Sequence, residues 1–381
     1  MPRYPQLDFI RGAAIAGILL LNIVSFGLPS AAYLNPAWQG FITRPDAISW
    51  AVLEVFARLK FLNLFALLFG AGLVFQLPKG GAWIQSRLGW LLLFGVLHAV
   101  LLWEGDILVA WSLAGMLSWR MIRDAHSPGV LMRTGLLFYA AGCLMLLLFG
   151  AISSGHAGSD WLPGAAEVFL EQQRVLHPGM AAIDYRTDHL ASMLVAFFGQ
   201  YGWELTGLMM IGAALVHNGW LLGNRPPADY LRTAALLLVP GFLLEAAGAT
   251  AQWLTGWSFR WSGFYLQIPG EIASPLISLG YAALVLAGWQ KISSMRVGYL
   301  FCCIGRMALS NYLLQTLVCT LIFSTAGFFL HFQRWQLLLI VPFIWVINAL
   351  FSLCWLRYFP RGPMEQLWRI LTRKTAGSGE G

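Results

Sequence analysis

His98 lies inside the apolar stretch 88–103, and eight residues further on the chain turns through Glu104-Gly105-Asp106. Histidine changes charge near neutral pH, so with a carboxylate in reach it is a workable general base. The plainer account of a lone histidine in an apolar stretch is a packing residue satisfied by hydrogen bonds. Lys60 is a second candidate. Glu54 and Arg58, at i, i+4, can pair with each other and leave the Lys60 ammonium to find another partner. Such a group also suits an outer membrane interface, where it is simply solvated.

Other polar residues recur at helical spacing in apolar surroundings. Asp8 and Arg11 stand one turn apart at the start of the first apolar segment. They form either a local ion pair with a snorkelling guanidinium, or an arginine facing an inner cavity where it can hold a phosphate or carboxylate. Asn22, three turns deeper, needs a polar partner within the bundle. Arg306, Ser310, Asn311, Tyr312 and Gln315 open a later apolar stretch, and Asn311 and Gln315 share a face. That density is hard to attribute to helix packing alone. Gln200, Tyr201, Glu204 and Glu245 add polar groups on two more stretches. Ionisable side chains are costly in lipid and mark a function or a specific partner. Together these residues predict one water-accessible polar chamber within a membrane.

The elements that must position them are membrane helices. Of 381 residues, 58% are hydrophobic and 11% charged, against roughly 25% charged in a soluble domain. The apolar residues come in runs of about 17–25, the length that crosses a hydrocarbon core, and 18 Trp and 11 Tyr suit its interfaces. The pattern predicts an all-α polytopic bundle of about ten transmembrane helices, over roughly 8–28, 50–77, 88–103, 107–119, 130–152, 191–216, 233–254, 264–289, 298–323 and 336–356. One transmembrane domain, 1–357, includes an outer loop, 153–190. A cytoplasmic basic and aromatic tail, 358–381, suits a short helix on the inner leaflet. Met1-Pro-Arg-Tyr-Pro leads into the first segment without a cleavage motif, as an uncleaved signal anchor does.

Placing both termini inside puts fifteen Lys/Arg at inner ends and five (Arg44, Arg174, Arg186, Arg260, Arg334) at outer ones. Arg11, Arg58, Lys60 and Arg306 fall within or at the edges of helices. This bias fixes the orientation. The net charge of +7 is thus a topology signal rather than a nucleic-acid footprint. The five cysteines (Cys143, Cys302, Cys303, Cys319, Cys354) all lie in apolar stretches with no C-x-x-C pair, as small hydrophobes rather than disulfides or metal ligands. Membrane lipids are the expected surroundings, a homodimer is compatible with the pattern, and no metal or nucleic acid is expected.

The stretches 7–29, 60–77, 87–110, 305–316 and 357–372 resemble the YeiB family of uncharacterised bacterial inner-membrane proteins. That family is in turn distantly similar to the transmembrane acyltransferases, among them heparan-alpha-glucosaminide N-acetyltransferase, which share an opening like Leu7-Asp8-x-x-Arg11-Gly12 followed by Asn22. The resemblance implies a bacterial inner-membrane location and an acyl-CoA donor taken from the cytoplasm, with an acceptor acylated at or across the membrane. One departure stands out. The heparan branch has a catalytic histidine before a Trp and a Gly just beyond helix 1, and the comparable position here is Asn35 in Asn35-Pro36-Ala37-Trp38-Gln39-Gly40. Asparagine cannot act as a general base, so the role would pass to His98.

As an acyltransferase, Arg11 with Arg306 and the inner basic rim attracts the CoA phosphates, and Asn22 lies on the donor's path. His98, supported by Asp106, deprotonates an acceptor hydroxyl or amine, and Asn311 or Gln315 donates to the oxyanion. As a transporter or permease for a small polar or anionic solute, Arg11, Lys60 and Arg306 line the path, although no inverted repeat or paired broken helices are evident in the sequence. As a scaffold, the polar groups only pin helices together.

Overall fold

The computed structural model describes residues 4–377; Met1–Arg3 and the last four residues of the tail lie outside the described part. The described chain is helical throughout, with no strand. In order the helices are α1 (Pro5–Gly27), α2 (Arg44–Phe56), α3 (Lys60–Val74), α4 (Gly81–Leu101), α5 (Leu108–Asp124), α6 (Pro128–Ile152), α7 (Ala165–Leu176), α8 (Met180–Ala196), α9 (Gly202–His217), α10 (Pro227–Leu254), α11 (Phe259–Gly263), α12 (Ile268–Ala287), α13 (Trp289–Ser294), α14 (Arg296–Arg306), α15 (Ala308–Thr320), α16 (Arg334–Tyr358) and α17 (Pro363–Thr375).

Seven helical segments among the described residues are long and apolar enough to cross a membrane: 5–27, 81–101, 128–152, 227–254, 265–287, 308–325 and 334–358. The sequence pattern predicts about ten, and four of the expected spans are interrupted or too short for a full crossing. The span expected at 50–77 breaks between α2 and α3, where Leu59 takes the left-handed conformation (φ 62°). The one expected at 107–119 is the 17-residue α5. The one expected at 191–216 is divided into α8 and α9 by a π-helical turn, Phe197–Tyr201. The span expected at 298–323 also breaks, at Met307 between α14 and α15.

Helix α9 is the centre of the bundle: every residue but Trp203 and His217 is buried. It packs against α3, α5 and α6. Glycines let these backbones meet, the means by which helices associate where no hydrophobic difference drives them together. A Cβ at Gly70 would overlap the Met209 carbonyl, and one at Gly212 that of Leu67. Helices α1 and α14 meet in the same way, with Gly12 against the Phe301 carbonyl and Gly305 against that of Asp8. Helices α6, α10 and α16 turn Leu137, Leu236, Leu243, Leu339 and Phe343 outward, a greasy exterior suited to lipid.

Hydrogen bonds sort the connections into two ends. At the far end Asn35 Nδ2 donates to the Trp161 carbonyl at 2.8 Å, Trp161 Nε1 to the Trp257 carbonyl at 2.9 Å, and the Ser30 N–H to Glu171 at 2.8 Å. At the near end Gln6 Nε2 donates to the Leu222 carbonyl at 2.8 Å and Trp368 Nε1 to that of Arg87 at 2.7 Å. Both described termini are therefore at the near end. The tail forms α17, which docks on the bundle against α4 and the start of α15 instead of lying free on a surface.

Candidate functional site

Two cavities enter the bundle. The near one, of about 220 Å³, is walled by α1, α3, α4, α5, α15 and α17. Its depth is apolar (Ile15, Phe65, Leu68, Leu88, Leu91), and Arg11, Arg87, Arg306 and Glu365 supply its charge. The far one, of about 460 Å³, lies among α1, α3, α5, α9 and α12 and contains Asn22, Asn63, Trp103, Glu104, Asp106, Glu204 and Glu271. Ile107 and Trp111, at the start of α5, line both cavities. They form the partition.

His98 occupies that partition. Its ring centroid is 5.2 Å from that of Tyr312, a wall of the near cavity, and 6.4 Å from that of Trp103, a wall of the far one. Nδ1 is 2.8 Å from Asp106 Oδ1, and Nε2 is 2.9 Å from Thr316 Oγ1. The second Asp106 oxygen accepts the Val109 N–H at 2.7 Å, capping the first turn of α5. The Tyr312 hydroxyl accepts the Ile107 N–H at 3.2 Å. The expected His98–Asp106 pair therefore exists and ties α4 to the partition. Its imidazole is 2% exposed and closed off by Thr316.

The near cavity gathers three guanidinium groups. The Arg87 guanidinium sits 3.4 Å from the Trp368 ring centroid, with its buried Nε lacking a hydrogen-bond partner. Arg11 pairs with Asp8 at 3.1 Å, and Arg306 donates to the Pro360 carbonyl at 3.0 Å. Because α15 begins inside the bundle, its first N–H groups point at this cavity. Glu365 from α17 accepts those of Leu309 and Ser310 at 2.7 and 3.1 Å, the usual preference of a carboxylate for a helix N-terminus.

A single polar chamber does not form, and five of the nine candidate residues line neither cavity: His98 in the partition, and Lys60, Asn35, Asn311 and Gln315. Lys60 is fully buried, with Nζ 2.6 Å from Glu245 Oε2 and 2.6 Å from the Glu54 carbonyl. The break before α3 turns its side chain toward α10 rather than either cavity. Asn35 is a loop clamp: Nδ2 holds Trp161 and Oδ1 accepts the Ala37 N–H at 3.0 Å. Asn311 Nδ2 donates to the Ile304 carbonyl at 3.1 Å, across the α14/α15 break, and to Ser352 Oγ at 2.8 Å. Gln315 Nε2 donates to the Ile15 carbonyl at 3.3 Å. An Asn or Gln stripe is equally suited to hydrogen bonding across helices, and that is its use here. Arg11 and Arg306 do meet in the near cavity, and Asn22, expected with them, faces the far one.

Three wall residues carry weaker signals in the sequence. Glu271 is an acid inside an apolar run, which by itself marks an interior site. Arg87 and Trp368 are far apart in sequence and read singly as an inner-end charge and an interfacial aromatic. Only the docking of α17 joins them.

Fold and cavities define an all-helical protein with seven helices long and apolar enough to cross a membrane, a chamber opening toward each end and a histidine between them. The chain belongs to the YeiB family. It is 48% identical to the uncharacterized protein YeiB of Escherichia coli (strain K12) over 377 residues, 99% of this chain and 98% of that one. It is 28% identical to the uncharacterized protein YxaH of Bacillus subtilis (strain 168) over 404 residues, 97% and 94% of the two chains. An uncharacterized 39.9 kDa protein in the amylase 3' region of Bacillus acidopullulyticus is 25% identical over 383 residues, 97% and 94%. The family described as protein of unknown function (DUF418) matches residues 215–375, from the end of α9 to α17. No solved structure matches the chain.

Proposed function

We propose that this protein is a ten-pass protein of the bacterial inner membrane, both termini cytoplasmic, that transfers an acyl group from cytoplasmic acyl-CoA in the near cavity to an acceptor hydroxyl or amine in the far cavity. The ten passes are the seven long helices together with α2/α3, α5 and α8/α9. The observation that carries the transfer is the position of His98, between the walls of two cavities that share only Ile107 and Trp111.

Three arginines around an apolar cavity support this donor. The cavity is too small for a nucleotide but admits a pantetheine arm along Phe65, Leu68 and Leu88, leaving the CoA phosphates at the mouth with Arg11, Arg87 and Arg306. In the reaction the acyl carbon–sulfur bond breaks and a bond to the acceptor oxygen or nitrogen forms. The acceptor's proton passes through His98 to the CoA sulfur. Release of the Thr316 hydrogen bond frees Nε2 for this, while Asp106 keeps the ring oriented.

Acetyl-CoA and longer acyl-CoAs should raise the thermal stability of the purified protein, as any ligand of the native state does. Arg87→Ala should abolish that shift, and His98→Asn should retain it while eliminating acyl transfer. No shift with any acyl-CoA overturns the donor assignment.

The helix breaks support a second reading. Leu59, at the first break, lines the far cavity, and Gly305, Arg306 and Ala308, flanking the second, line the near one. Discontinuous helices beside a central site are a mark of transporters. Solute uptake into proteoliposomes without an acyl donor would favour a permease.

A further inference from the structure

The two cavities carry opposite charge. The near one has three arginines and one carboxylate, whereas the far one is lined by Glu104, Asp106, Glu204 and Glu271 with no lysine or arginine and a single histidine, His189. Two of these acids have basic partners behind the wall. Asp106 meets His98 at 2.8 Å and Glu104 meets Arg186 at 3.5 Å. The other two accept hydrogen bonds only from neutral donors, Glu204 from Gln200 Nε2 at 2.7 Å and Glu271 from the Tyr139 hydroxyl at 3.3 Å, and Glu271 feels the Arg58 guanidinium only through space. The buried cations nearby are already engaged. Arg58 pairs with Glu54 at 2.7 Å and Lys60 with Glu245 at 2.6 Å.

A second, independent feature points into the same space. The Asn63 side chain is only 7% exposed, lines the cavity, and leaves Nδ2 without a hydrogen-bond partner. A buried amide is costly to leave unpaired. An amide that faces a 460 Å³ space beside two carboxylates with no ion-pair contact of their own is the signature of a ligand that supplies the missing contacts.

We infer that the far cavity binds an organic cation, a protonated primary amine on an apolar body, with Glu204 and Glu271 as its counter-ions. Trp103, Trp111 and Tyr201 offer ring surfaces to the charge, Leu205 and Leu208 take the apolar body, and Asn63 hydrogen-bonds a further polar group. A metal ion fits less well, since no group of three or more His, Cys, Asp or Glu among the described residues could hold one. The cation site stands by itself; that its occupant is the acyl acceptor rests on the transferase reading.

The test uses the full chain purified in detergent and two matched pairs of probes: tryptamine with tryptophol, and phenethylamine with phenethyl alcohol. Each pair differs in an ammonium against a hydroxyl. Calorimetric titration should show each amine binding at least about tenfold tighter than its alcohol. In Glu204→Gln/Glu271→Gln that preference should vanish while alcohol binding persists. Equal binding of amine and alcohol to the unaltered protein overturns the inference, a result that does not depend on the variant folding. Acyl-CoA titration of the same samples separates the two proposals. Amine preference without acyl-CoA binding sinks the transferase and leaves the cation site; acyl-CoA binding without amine preference does the reverse.

Discussion

Replacing Lys60 with Met removes a cation from the interior and leaves two groups without it. Lys60 is fully buried, its ammonium 2.6 Å from Glu245 and 2.6 Å from the Glu54 carbonyl, and Glu245 is itself 2% exposed. Removing one partner of a buried ion pair costs about 3–5 kcal/mol, because the remaining charge is neither solvated nor paired. Replacing both partners by neutral groups of similar shape is often nearly neutral. Lys60→Met should therefore destabilise the protein by about 3–5 kcal/mol, and Lys60→Met/Glu245→Gln by about 1 kcal/mol or less. The assay is reversible unfolding in mixed micelles, followed by tryptophan fluorescence. The same samples should bind acyl-CoA normally, since Lys60 lines neither cavity. A single variant of unaltered stability that has lost activity would refute this reasoning and restore Lys60 as a reacting group.

Gly305→Ala places a methyl against the Asp8 carbonyl where α1 and α14 cross; it should cost about 1–3 kcal/mol or more in the same unfolding assay, and full stability would mean the crossing adjusts freely. Trp368→Ala removes an 8%-exposed ring that carries both the Arg87 guanidinium and a hydrogen bond to the Arg87 carbonyl. Truncating a buried Trp costs about 3–5 kcal/mol, here released as undocking of α17, so trypsin should cut after Arg369 faster than in the unaltered protein. Burial is the main influence on Glu171, on α7 between α6 and α8, and lifts its carboxyl above the ordinary 4.5 despite the opposing Ser30 N–H. The folded chain thus holds that proton more tightly than the unfolded one. The resulting stabilisation is full below pH 4.5 and is lost as pH rises through the higher folded value. Glu171→Gln should flatten the pH dependence of thermal stability across that range, and an unchanged profile would count against it.

Composition and run length made the membrane character and most of the helices legible, because each span must satisfy its own backbone within one segment. Breaks within expected spans were not. Nothing in Ala57-Arg58-Leu59 or around Met307 disrupts the apolar pattern in the manner of a proline, and both interruptions depend on neighbouring packing and polar side chains. The His98–Asp106 pair was legible because its members are eight residues apart, across one tight turn. Glu245, the partner of Lys60, lies on α10, and a sequence names candidates for such a pairing without choosing among them.

The sequence by itself determined that the chain carries helices long and apolar enough to cross a membrane, where most of them run, and that several polar groups must be satisfied inside. These follow from local composition and the cost of bare polar groups in hydrocarbon. The tertiary structure alone decided which groups seal against one another and which face open space. That choice turns on a few ångströms of separation between helices remote in sequence: Asn311 and Lys60 are closed in, whereas Asn63, Glu204 and Glu271 line a cavity.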